Sequence, residues 1–249
     1  MTVSGIVSGG TGAGIATESN AGGTVTIDLL SGSSVSATSG AAISDGVGNA
    51  VVTLNAGAGV TGSIALGDGS DTLNIASGVT LAGVTSLSGG AGSNDTLNIN
   101  SGLSGAVSNF EAINADTAGG SFTLGGVVSG GALTKTGANT LSLTGANSYT
   151  GGTTINSGSL LTSAANRLAD GGGVAVASGA VFQLGGNETI ASLSGAGQVK
   201  VGTATLTTGA SDSTFSGTLS GAGDLVKTGA GSFTLSGNNG LTTFTGDAY

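Results

Sequence analysis

The 249-residue chain contains no proline, no cysteine, no histidine and no tryptophan, and only 7% of its residues are charged and 3% aromatic. Each absence removes a class of function. Without cysteine there is no disulfide framework, thiol nucleophile or thiolate metal site. Without histidine the commonest general base and metal ligand is gone, so the many serines cannot form a Ser-His-Asp triad. No Ser-x-x-Lys motif replaces it. The basic residues are Lys135, Arg167, Lys200 and Lys227, set against thirteen acids for a net charge of −9. Nucleic-acid binding and attraction to anionic headgroups both need clustered cations, so neither is expected. No run approaches the ~20 apolar residues of a membrane-spanning helix, and direct membrane insertion is not expected. The opening MTVSGIVSGG has neither the basic segment nor the apolar core of a signal peptide. The chain reads as an internal piece of a longer protein.

What is present is glycine, 52 residues of it. Collagen would need proline and glycine at every third position. A flexible linker would lack the Val, Ile and Leu that bring the mean hydropathy to +0.37. Short runs alternate apolar with small polar residues: Val25–Leu29, Phe122–Leu124, Leu141–Leu143, Val174–Val176 and Phe233–Leu235. Period-two alternation predicts strands with one buried face. Glycine clusters between them supply the positive φ angles of tight turns. Ser163–Ala169 (SAANRLA) is the longest stretch that reads as helical, about two turns. All else reads as β.

Repeats select the β architecture. Asp71-Thr72-Leu73-Asn74-Ile75 returns as Asp95-Thr96-Leu97-Asn98-Ile99, and Ser77-Gly78-Val79 as Ser101-Gly102-Leu103, both 24 residues on (95−71, 101−77). Leu133–Ala138 returns as Leu225–Ala230, 92 residues later (225−133). Ser194-Gly195-Ala196-Gly197 echoes as Ser220-Gly221-Ala222-Gly223 after 26 residues (220−194). A spacing in the mid-twenties fits one coil of a parallel β-solenoid, in which each coil buries its inward residues only against its neighbours. Inward Val, Ile and Leu would then stack on like residues, and outward Thr and Asn would form hydrogen-bonded ladders. At about 4.8 Å per coil, ten or so coils would give a rod of roughly 50 Å. Missing proline agrees, because a strand paired on both sides has no place for a residue without an N–H. A sandwich or barrel stays open on the residues alone.

Gly131–Leu160 (GALTKTGANTLSLTGANSYTGGTTINSGSL) closely resembles the autotransporter-associated β-strand repeat of bacterial autotransporter passenger domains. The pattern is carried by Leu133, Lys135, Gly137, Leu141, Leu143, Gly145, Asn147, Tyr149, Gly151, Thr153, Thr154, Ile155, Gly158 and Leu160. A second copy runs through Leu225, Lys227, Gly229, Phe233, Leu235, Gly237, Phe244 and Gly246. Glu188–Gly197 and Thr214–Lys227 look like the usual continuation. Asn109–Asn114 (NFEAIN) is similar to other passenger segments. The resemblance implies an all-β, right-handed parallel β-helix (β-solenoid), exported across the outer membrane through a β-barrel translocator expected in the parent protein. It divides the chain into degenerate coils over 1–120 and coils with the named repeats (131–160 and 223–249) over 121–249, in one continuous rod. An unfolded chain threading a narrow barrel gains from having no cysteine to cross-link in an oxidising periplasm.

Four groups of residues invite a chemical reading. Lys135 and Lys227 hold equivalent places in the two large repeats, as an outward basic ladder or, the stronger reading, as solvated edge lysines that discourage edge pairing. Tyr149 and Phe244 read as core aromatics or turn plugs before ligand platforms. Gly67–Leu73 (GDGSDTL) resembles part of a calcium-binding nonapeptide, which makes Asp68, Asp71 and Asp95 candidate Ca2+ ligands. Tandem calcium repeats recur every nine residues, however, so turn-forming Asp-Gly is the better reading. The acids are otherwise scattered, and no carboxylate pair is marked as a glycosidase couple.

These observations point to a structural and adhesive passenger fragment on a Gram-negative surface, without catalytic residues or cofactor. Its expected partners are a host-cell or matrix surface, or like chains in self-association. A calcium-binding surface module is the alternative, and a carbohydrate-active β-helix enzyme stands behind it.

Overall fold

Alternating apolar and small residues hold the chain extended, and glycines turn it back at the end of each short run, so that successive runs lie parallel and one coil apart. A computed structural model describes residues 1–18, 22–209, 211–237 and 239–246, the last stretch for its backbone alone. The chain is an all-β parallel β-solenoid of about ten turns. It divides into two compact units: Met1–Asp116 with Phe122–Gly131, and Thr117–Ser121 with Ala132–Tyr249. Among the described residues no helix is long and apolar enough to cross a membrane.

In the first unit, strands Thr24–Leu29, Asn49–Leu54, Thr72–Ile75, Thr96–Ile99 and Ala106–Asp116 pair in parallel, each on the next. Their register aligns Ile27, Val52, Leu73, Leu97 and Ile113 in one inward column, every member fully buried. Ile15, Ile43, Ile64, Leu87 and Val107 form another on the strands that follow the turns. Each such side chain gains about 1.5–3 kcal/mol from leaving water. The 24-residue offset is a true coil register, since Thr72–Ile75 lies directly on Thr96–Ile99. The period is not constant, because the steps Ala50–Asp71, Asp71–Asp95 and Asp95–Glu111 are 21, 24 and 16 residues.

In the second unit, Thr140–Leu143, Ser159–Thr162, Val181–Leu184, Gln198–Gly202 and Thr218–Lys227 stack likewise, aligning Leu141, Leu160, Phe182, Val199 and Leu219. A companion column runs Lys135, Ile155, Val176, Gly195, Phe215 and Leu235. Its glycine is opposite the bulky Phe215.

Two readings of the sequence need correction. Ser163–Ala169 is not helical. Its amides bond across coils, Ser163 N–H to Leu143 O and Asn166 N–H to Asn187 O, and Asn166 has a φ of 54°. That angle has no place in a right-handed helix. The echo of Ser194–Gly197 at Ser220–Gly223 is not a coil period either: Ser220 lies opposite Lys200, and Gly195 opposite Phe215. Ser194 and Gly195 end the strand Ser192–Gly195, whereas Ser220–Gly223 runs inside the strand Thr218–Lys227.

Candidate functional site

At one corner of the first unit, side chains take over hydrogen bonding between coils. Asp71 Oδ1 accepts the Ala50 amide at 2.6 Å, Asp95 Oδ1 the Asp71 amide at 2.7 Å, and Glu111 Oε2 the Asp95 amide at 2.6 Å. The adjoining strands fix this column, with Val51, Thr72, Thr96 and Ala112 in register immediately after its members. Asp71 and Asp95 are fully buried, and the second oxygen of each is buried without a partner. Burial pushes the Asp71 carboxyl up to about 6, against the amide of Ala50 that favours its charged form, while Asp95, Asp45 and Asp68 add repulsion. Burial raises Asp95 as well, with Glu111 contributing.

The calcium candidates are thereby separated by role. Asp68 is exposed, in an isolated parallel bridge to Val47 between Gly67 (φ 84°) and Gly69 (φ 141°), whereas Asp71 and Asp95 face inward onto backbone amides. Among the described residues no group of three or more acids is placed to hold a metal ion. Asp71 and Asp95 were marked by their 24-residue repeat. Glu111 extends the same column but follows a 16-residue step and changes residue type, so no repeat exposes it.

On the outer face of the same strands, Asn98 Nδ2 donates to Asn74 Oδ1 at 2.8 Å, and Asn114 Nδ2 to Asn98 Oδ1 at 2.9 Å. The register continues this column through Thr53 to Asp28. It is the outward polar ladder anticipated from the residue types.

The repeat lysines overturn their sequence reading, in both its forms. Lys135 is neither an outward ladder nor a solvated edge residue: it is fully buried, and Lys227 is 8% exposed. Lys135 Nζ donates to Thr136 O at 2.7 Å, Gly137 O at 2.8 Å and Ser157 O at 2.9 Å. An ammonium has three donors, and a buried one must satisfy them. Gly137, with a φ of 76°, turns the chain so that its carbonyl faces back onto the lysine that precedes it by two positions. Lys227 Nζ repeats the pattern with Thr228 O at 2.6 Å and Gly229 O at 3.2 Å, where Gly229 has a φ of 70°. The Lys-Thr-Gly of each repeat is a corner built around an internal cation.

Tyr149 is buried, with its hydroxyl 2.6 Å from Thr153 Oγ1. Phe244, its counterpart, lies outside the residues whose side chains are described. Beside Tyr149 a groove of about 560 Å3 opens between two consecutive turns, edged by Ser148, Thr150, Asn166 and Asp170 over Leu168. Glu188 holds the same turn: it accepts the Arg167 amide (2.9 and 3.1 Å to its two oxygens) and the Leu168 amide at 3.1 Å. Burial raises this carboxyl too, against those two amides. Its role was invisible in the sequence, where it was one acid among thirteen.

Leu133, Leu141, Leu143 and Leu225 are core residues, while Phe233 and Leu235 are half-buried. The lysine corner is the feature seen in both repeats, at Lys135 and at Lys227. A passenger-associated-transport-repeat matches residues 133–161 and again 225–247, the segments that contain Lys135 and Lys227. No curated protein and no solved structure matches the chain. The chain therefore carries two copies of the passenger-associated transport repeat, a repeat found in autotransporter passenger domains.

Proposed function

We propose that the chain is the stalk of an autotransporter passenger, presenting or forming an adhesive or self-associating surface outside a Gram-negative cell. The observation that carries this reading is the pair of transport repeats at 133–161 and 225–247. The family implies secretion to the cell surface and points to a structural rather than a catalytic role. The mechanism follows from how the coils are bonded. Each coil satisfies its backbone and corner groups on the adjacent coil, so a chain emerging unfolded from a translocator can fold turn upon turn, each finished coil templating the next. Contact with a partner would come from the lateral Ser, Thr and Asn rows, through many weak hydrogen bonds.

The test is display of the chain on a non-adherent bacterium, fused to an outer-membrane translocator. Retention on matrix-coated or cell-coated plates, or clumping of the displaying cells above a translocator-only control, is the expected result. Full display with neither retention nor clumping would remove adhesion and leave a plain spacer.

A further inference from the structure

Asp71 and Asp95 occupy an unusual position for carboxylates. Both are fully buried, and they are joined directly, because the Asp71 amide donates to Asp95 Oδ1 at 2.7 Å. Each spends one oxygen on a backbone N–H and leaves Oδ2 enclosed with no partner. The charged groups that bear on them are Asp45 and Asp68 at Asp71, and Glu111 at Asp95, every one an acid. Among the described residues that bear electrostatically on either carboxyl there is no cation. An ionised carboxylate without a counter-ion or a full set of hydrogen bonds is expensive to bury, and two stacked ones repel.

We propose that the Asp71–Asp95 column is a proton-binding site, and that closing these coils takes up protons from solution onto its carboxylates. Protonation at Oδ2 forms only the O–H bond. It leaves Oδ1 free to keep the amide of the preceding coil, turns the enclosed oxygen into a donor, and removes the repulsion along the column. The elevation of Asp71 to about 6 by burial agrees with this geometry. The folded unit holds the proton more tightly than the unfolded chain does. The stabilisation is therefore complete below the ordinary Asp range near 4 and is lost as pH rises through about 6. The first unit is thus firmer in mildly acidic surroundings than at pH 8, the reverse of a domain held together by surface ion pairs.

The experiment combines site-resolved carboxyl 13C NMR titration of the whole chain with urea unfolding from pH 5 to 8, followed through probes in the first unit. Asp71 is expected to titrate near 6, about two units above an ordinary aspartate, and the unfolding midpoint of the first unit to fall as pH rises across that range. In Asp71→Asn/Asp95→Asn, whose amides keep an acceptor for Ala50 and Asp71, that slope flattens, while Asp170→Asn, an exposed control, keeps it. Titration of Asp71 near 4, a midpoint that does not fall between pH 5 and 8, or a double variant with the slope intact would each overturn the proposal. If the double variant does not fold, the wild-type titration still decides.

Discussion

Asp95 Oδ1 accepts the backbone amide of Asp71 at 2.7 Å, so a side chain of one coil fills the place that a carbonyl fills along the strands. Solenoid corners are where the backbone ladder breaks, because turning chains cannot keep their N–H groups aimed at the neighbouring coil. Buried amides left there would each cost about 1–3 kcal/mol. The chain meets this with acceptors at successive corners: Asp71, Asp95 and Glu111 in the first unit, Glu188 in the second. Lysine solves the complementary problem of surplus carbonyls, at Thr136, Gly137 and Ser157.

Inner and outer columns should differ in weight although they share a strand. Asn98→Ala removes both ladder hydrogen bonds, to Asn74 and from Asn114, but at a half-buried site where water can replace them. The expected loss is about 1 kcal/mol. Leu97→Ala, one position earlier and fully buried, should cost about 2–5 kcal/mol through the cavity it leaves. Urea unfolding of the two variants measures the ratio, and equal losses would contradict the assignment of faces.

Lys135→Met retains the apolar stem and removes the ammonium, stranding three carbonyls at a buried corner. A loss of about 2–4 kcal/mol from the second unit is expected, more than a single neutral hydrogen bond would explain. Thermal unfolding monitored within that unit checks it. A solvated lysine, by contrast, would tolerate the change within about 0.5 kcal/mol.

Much of this was readable in the residues. Strands such as Phe122–Leu124 and Phe233–Leu235 occur where the alternation placed them, and the 24-residue repeat proved to be the register of Thr72–Ile75 on Thr96–Ile99. Period-two alternation and repeat spacing are local or periodic signals, and each strand satisfies them alone. The lysines were misread because charge ordinarily implies solvent. Only the positive-φ glycines two residues on, Gly137 and Gly229, fold carbonyls back around Nζ, and that convergence is three-dimensional. Glu188 escaped notice for the same reason: its donors, Arg167 and Leu168, are 21 and 20 residues away.

Glu188 supplies a pH prediction for the second unit. Burial raises its carboxyl, so the folded state favours the proton, and the stability tied to this group is present below the ordinary Glu range and lost as pH rises through the raised value. Glu188→Gln keeps an acceptor for the Leu168 amide and should flatten this part of the pH profile. Glu188→Ala orphans the amides of Arg167 and Leu168 and should cost about 1–3 kcal/mol at every pH. Hydrogen exchange at those two amides reads the difference directly, with rapid exchange expected only in the alanine variant.

The closest approach between coils gives the sharpest test of the stacking itself. Gly90 has a φ of 114°, and a Cβ there would come 1.6 Å from the Gly67 carbonyl oxygen, which belongs to backbone and cannot swing away. Gly90→Ala therefore meets both a disfavoured dihedral and a collision, and prying the coils apart would weaken the Ala91 N–H bond to Gly67 O beside it. A loss of more than about 3 kcal/mol from the first unit is expected, since a strained dihedral alone costs about 1–3 kcal/mol. Gly22→Ala isolates the dihedral effect: its φ of 83° is also positive, nearer the left-handed α region, and nothing lies within 4 Å of the added carbon. It should lose only the dihedral part, about 1 kcal/mol. Side-by-side urea midpoints that placed Gly22→Ala level with Gly90→Ala would mean that the coils are not in contact at Gly67 and Gly90.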